Sequence, residues 1–199
     1  MVLTAFVIGF LATFLVFAAI LIALRNIFRD GYFSGLMIGL GNAITQIPLI
    51  FLMFVFLHLV PPSEIAYVNK YFIAFTAFVL FCMAYDVRKH PEPNKQKMTF
   101  FYTLKLIATG FGLSIIFPVT ITTYLGLLHH YGALAQDKWV LALTVMAGNL
   151  VWWIIFVSIV SCLSPCGRMS PAGLKAYDRL MVLIITLLGI ATLATLFMN

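Results

Sequence analysis

The sequence predicts an all-α, polytopic membrane protein with six transmembrane helices. Hydrophobic residues make up 63% of the 199 positions and charged ones 9%, a ratio that a water-exposed surface on a chain of this size does not accommodate. The apolar residues gather into six stretches, each close to the roughly 20 residues a helix needs to cross a bilayer. All the basic residues except Lys70 fall between those stretches rather than within them.

The first stretch, Leu3 to Leu24, resembles a signal peptide in apolarity, but no basic residue precedes it and it is too long for an ordinary apolar core. It reads as an unbroken helix. The second runs from Phe33 to Leu59 and the third from Ala66 to Tyr85, with Asn69 and Lys70 placed at headgroup level. The fourth is Leu106 to Leu128, the fifth Trp139 to Val160 and the sixth Leu180 to Met198. All are continuously apolar, whereas a membrane β-barrel would alternate at period two.

Ten of the twelve Lys and Arg residues lie in alternate connections: Arg25 and Arg29, then Arg88, Lys89, Lys95, Lys97 and Lys105, then Arg168, Lys175 and Arg179. Such a bias marks the cytoplasmic side and places both termini outside. The net charge of +6 then points to anionic lipid headgroups as partners. Nucleic acid is not expected as a partner, because no soluble domain of useful size is present to bind it.

The chain reads as a single membrane domain, 1–199. Its longest polar run, DVRKHPEPNKQK, divides it into halves 1–86 and 98–199 joined by a cytoplasmic loop, 87–97. Three helices on each side, with Gly41-Asn42 echoed by Gly148-Asn149, suggest an inverted 3+3 repeat.

Polar side chains inside the spans are the informative ones, since hydrocarbon offers them no partner. Asn42, Thr45 and Gln46 share one face of the second helix, followed by Pro48, which removes a backbone hydrogen bond. Their functional reading is a lined cavity; the structural one is helix-to-helix glue, with Gly35, Gly39 and Gly41 allowing close packing. The fourth helix carries Gly110, Gly112, Ser114 and then Pro118 with Thr120, Thr122 and Thr123, which suits a broken helix with accessible backbone groups. The fifth supplies Asn149, Trp152 and Trp153, as packing or as an aromatic wall. No acid or base sits at the centre of any span, so a buried proton relay has no candidate. Cys82, Cys162 and Cys166, and the histidines His58, His129 and His130, match no recognised redox or metal spacing. No metal, no cofactor and no catalytic constellation is expected, so the chain does not read as an enzyme.

These segments together resemble the LysE/RhtB superfamily of bacterial amino-acid exporters. In LRNIFRDGYFSGLMIGLG, residues Arg25, Arg29, Gly31, Gly35 and Gly41 follow the family's basic turn and Gly-rich second helix, with Thr45-Gln46 in the place of its Gly-Asp pair. FPVTITTYLGLL matches the Asn-Pro-Lys helix at Pro118, with Phe117 and Val119 on either side. AGNLVWW is similar to the Asp-Leu-x-Trp segment, matching at Trp152 with Asn149 for the acid. LKAYDRLMVLIITLLGI is similar to the closing helix at Arg179 and Gly189, with Asp178 for Asn. The Pro-Gly-Pro step of the first helix is absent. The resemblance implies a secondary transporter in the bacterial inner membrane, multi-pass with periplasmic termini, exporting amino acids or related metabolites. Its small-molecule substrate would lie among Asn42, Thr45, Gln46, Pro118, Thr122, Asn149 and Trp152, with one half rocking against the other. The alternative is a non-transporting membrane scaffold or accessory subunit. A homo-oligomer is compatible with either.

Overall fold

The computed structural model describes residues 2–13, 16–59, 65–89, 96–116, 137–163 and 170–198. Among these residues the secondary structure is seven α-helices: α1 (Val2–Ala12), α2 (Phe17–Asp30), α3 (Tyr32–Leu59), α4 (Ile65–Lys89), α5 (Phe100–Ile116), α6 (Lys138–Leu163) and α7 (Pro171–Met198). The all-α expectation therefore holds at the level of secondary structure, but the six-span architecture does not.

The correction begins at the N-terminus. Leu3 to Leu24 is two helices rather than one, and α1 and α2 meet at 66°. The two helices differ in what they bury. α1 buries a single stripe, Ala5, Gly9 and Ala12, whereas α2 carries Arg25, Asn26, Arg29 and Asp30 and is buried over most of its circumference. Turning away from α1 lets α2 bring those polar groups against α5 and α7. Only α3, α6 and α7 are, among the described residues, single helices long and apolar enough to cross a membrane; α1 and α2 together make a fourth only if counted as one broken span. The multi-pass localisation built on six spans falls with the span count.

Element boundaries shift as well. α4 continues through Arg88 and Lys89, into the stretch read as loop, and α5 begins at Phe100 rather than Leu106. α7 begins at Pro171, nine residues before Leu180, so Lys175, Asp178 and Arg179 are helical. Proline at the first helical position is favourable because its missing N–H would have no partner there. α3 remains helical through Pro48. The central loop lies mostly outside the described residues.

Packing is non-sequential. α1 lies on α6, α3 on both α5 and α6, α4 on α7, and α2 on α3 with lesser contact to α7. The two halves are thus not separate blocks, because the main packings of α1, α4, α5, α6 and α7 all run from one half to the other. The two halves are interleaved rather than packed side by side.

Two of these crossings are built alike. A β-carbon at Gly9 would lie 2.1 Å from the Val145 carbonyl oxygen, and one at Gly148 would lie 2.1 Å from that of Phe6. At the other crossing, β-carbons at Gly41 and Gly110 would each lie 2.0 Å from a carbonyl oxygen, of Ile107 and Ile38 respectively. Only glycine permits backbones to approach so closely. Gly41 and Gly148 therefore have matched roles, each three residues after the residue whose carbonyl meets the partner's glycine.

Two apolar clusters fill the interior. One gathers Ala19, Ala23 and Ile27 of α2 with Ile38, Leu80, Trp153, Met181 and Ile185; the other joins Ala5 and Ala12 to Ile50, Met53, Leu141 and Val145.

Gly148→Ala should destabilise the fold by about 2–4 kcal/mol, since α1 and α6 must separate to admit the methyl group. Gly112 has no atom within 4 Å of an added β-carbon, so Gly112→Ala should be neutral or stabilising by up to about 1 kcal/mol through helix propensity. Thermal unfolding of the two variants side by side checks both expectations.

Candidate functional site

The polar residues expected to line a central site come together, but they are engaged with one another. Asn42 and Thr45 are fully buried, and Gln46 and Asn149 nearly so. Thr45 Oγ1 donates to the Gly41 carbonyl at 2.7 Å, and Gln46 Nε2 donates to the Asn42 carbonyl at 2.8 Å. Across α3 and α6, Trp153 Nε1 donates to Asn42 Oδ1 at 3.1 Å. Across α1 and α6, Asn149 Nδ2 donates to Thr13 Oγ1 at 2.8 Å, and that hydroxyl donates to the Gly9 carbonyl at 3.1 Å. Trp152 stacks on Phe156 with ring centroids 4.8 Å apart and meets Trp153 edge-on. Pro118 and Thr122 lie outside the described residues, as do His129, His130 and Cys166.

The bonds of Asn42 and Asn149 fasten helices to one another, and those of Thr45 and Gln46 return to the backbone of α3. Asn42 Nδ2 and Asn149 Oδ1 are buried without a protein partner, but the remaining groups are turned on the helices themselves. Amino-acid export through this face, as a secondary transporter of the LysE type, is therefore corrected. Of the groups meant to receive a solute, Asn42 ties α3 to α6 and Asn149 ties α6 to α1, while Thr45 and Gln46 bond back to their own helix.

Sequence reasoning missed two charged clusters. At the C-terminal end of α2, Arg29 Nε donates to Asp30 Oδ2 at 2.9 Å, and the same guanidinium donates to Asn26 Oδ1 at 2.8 Å and to the Tyr102 hydroxyl. Tyr102 donates to Asp30 Oδ2 at 2.6 Å, and the Gln96 backbone N–H donates to Asp30 Oδ1 at 2.9 Å. The Asp30 side chain is fully buried, so these donors replace its water. Burial first, then the bond to Asp30, holds the Tyr102 phenol well above its ordinary pKa. The second cluster joins α2 to α7: Arg25 donates to Asp178 through Nε at 2.7 Å and Nη2 at 3.1 Å, the two-pronged geometry that suits a guanidinium and a carboxylate. Beside it the Tyr177 hydroxyl donates to the Leu21 carbonyl at 2.9 Å. The available signal was the helical spacing of charges after Pro171, had that segment been read as helix.

A cavity of about 570 Å³ opens between α4 and α7 next to the second cluster. Its polar end holds Arg88, Lys175, Arg179 and Asp178; its wall is Val182, Leu183 and Leu187. Phe81 packs on Gly189 while Arg88 lines the same cavity as Lys175, so α4 and α7 run antiparallel. Lys175, Arg179, Leu183 and Leu187 follow one another at four-residue intervals and thus share one stripe of α7. With Asp178 taken up by Arg25, the cavity presents an excess of positive charge at one end and hydrocarbon along the rest. Among the described residues no group of three or more His, Cys, Asp or Glu side chains is placed to hold a metal.

No family model, curated protein or solved structure matches the chain.

Replacing Arg25 with Gln or Asp178 with Asn should each cost about 1–3 kcal/mol, and a double-mutant cycle should return a coupling above about 1 kcal/mol. Additive costs would show that the pair does not join α2 to α7. A phenol that the fold keeps protonated contributes stability that is complete below about pH 10 and is lost as pH rises towards the raised value. Tyr102→Phe should therefore lower stability at pH 8 by about 1–3 kcal/mol and flatten its decline above pH 10, as followed by chemical unfolding across pH 8 to 11.

Proposed function

We propose that this chain is a non-catalytic, lipid-contacting helical bundle. The observation that carries the reading is the apolar perimeter. Leu3 on α1, Leu59 on α3, Phe78 on α4, Phe100 and Phe101 on α5, Leu163 on α6 and Leu183 on α7 are all more than half exposed, with Phe101 at 81%. Single exposed apolar residues are ordinary, but their recurrence on six of the helices favours an apolar partner over water. Acyl chains supply that phase without needing a complementary shape.

The interior supports the same reading. Where lipid covers part of a bundle's surface, close packing and hydrogen bonds between helices hold it together more than apolar contact does. The glycine crossings and the bonds from Trp153 to Asn42 and from Asn149 to Thr13 are of that kind. Function then resides at the polar ends and on the outer surface.

The three tryptophans separate inside from outside: Trp139 is 59% exposed, while Trp152 and Trp153 are buried. Lipids brominated on their acyl chains should quench the fluorescence of the reconstituted protein, and Trp139→Phe should remove most of that quenching. Quenching of Trp139 by aqueous iodide in its place, with none from brominated lipid, would sink the reading.

A further inference from the structure

We propose that the cavity between α4 and α7 is a binding site for one anionic phospholipid, with the phosphate at Arg88, Lys175 and Arg179 and an acyl chain along Leu183 and Leu187. The proposal rests on the lipid-contacting reading and gives it a specific partner.

Charge makes the first part of the case. Four charged side chains line the cavity, but the acid among them, Asp178, is bonded at both oxygens by Arg25. The three cations are exposed, and no ion pair within the described residues engages them. Like charges brought from two helices to one spot repel each other, and an anion between them removes that cost. Two guanidinium groups and an ammonium can together satisfy several phosphate oxygens.

Shape makes the second part. The stripe from Lys175 to Leu187 covers twelve residues, about 18 Å of helix axis. Its first two members are cationic and its last two are leucines, an order that matches an amphiphile from head to tail. A free inorganic anion would use the cations and leave the apolar wall uncovered. Leu183 and Leu187 are themselves more than half exposed, so a chain lying along them stays continuous with lipid outside the cavity. Arg25 has a second part here: by holding Asp178 it keeps a carboxylate from repelling the phosphate.

Native mass spectrometry of the full chain in detergent, titrated with phosphatidylglycerol or phosphatidylcholine, tests the assignment. One phosphatidylglycerol should be retained in preference to phosphatidylcholine, and the triple variant Arg88→Gln, Lys175→Gln, Arg179→Gln should bind it at least about tenfold more weakly. Leu183→Gln should weaken binding with the headgroup site intact, and millimolar inorganic phosphate should not displace the lipid. The cations are exposed, so the triple variant should fold; the single variants Lys175→Gln and Arg179→Gln provide graded losses if it does not. Equal retention of both lipids, a variant that keeps the preference, or displacement by phosphate would each overturn the proposal. None of these substitutions touches Trp139, so its quenching by brominated lipid would persist if only the specific site is wrong, and would be absent if the lipid-contacting reading itself is wrong.

Discussion

The rest of the bundle depends on the close approach of backbones at two glycine crossings. Where α1 meets α6, and again where α3 meets α5, a glycine on each helix faces a carbonyl on the other at a distance that no side chain would tolerate. That approach decides which helices are neighbours. It also aims the residues that follow. Asn42 comes directly after Gly41 and receives the indole of Trp153; Asn149 comes directly after Gly148 and donates to Thr13. Small residues bring the helices together, and the amides beside them lock the register.

A second consequence concerns charge. With the interior taken up by close packing, the ionised groups among the described residues lie towards the ends of α2, α4 and α7 and at the starts of α5 and α6. The buried acids there are spent internally: Asp30 on Arg29, Tyr102 and Gln96, and Asp178 on Arg25. A buried carboxylate without such partners would be costly, so each acid recruits donors from a distant helix and helps hold it. What remains at the surface between α4 and α7 is cationic, and the outer face next to it is hydrocarbon. The asymmetry that could recognise an anionic amphiphile thus arises because the fold pairs Asp178 with Arg25 and leaves Arg88, Lys175 and Arg179 without an ion pair among the described residues.

Several features were legible in the sequence because they are local. Continuous apolar runs specify helices whatever surrounds them, and α3 and α6 fall within a few residues of where hydropathy places them. The shared face of Asn42, Thr45 and Gln46 follows from helical spacing, and all three are buried as that spacing implies. Their role was not legible. The same three residues would line a cavity or bond to neighbours depending on how near α6 comes, and that distance is set by glycines on helices far apart in the chain.

The sequence by itself determined the all-α class, the stretches of α3 and α6 and the burial of Asn42, Thr45, Gln46 and Asn149, because propensity, periodicity and desolvation act over a few residues. Only the tertiary structure decided that the first apolar stretch breaks into α1 and α2, and that α7 begins at Pro171 rather than Leu180. Read alone, the charges on Lys175, Asp178 and Arg179 argue for a loop in water. Asp178 can sit buried in a helix because Arg25, 153 residues earlier in the chain, reaches it with two hydrogen bonds, and no local pattern contains that partner.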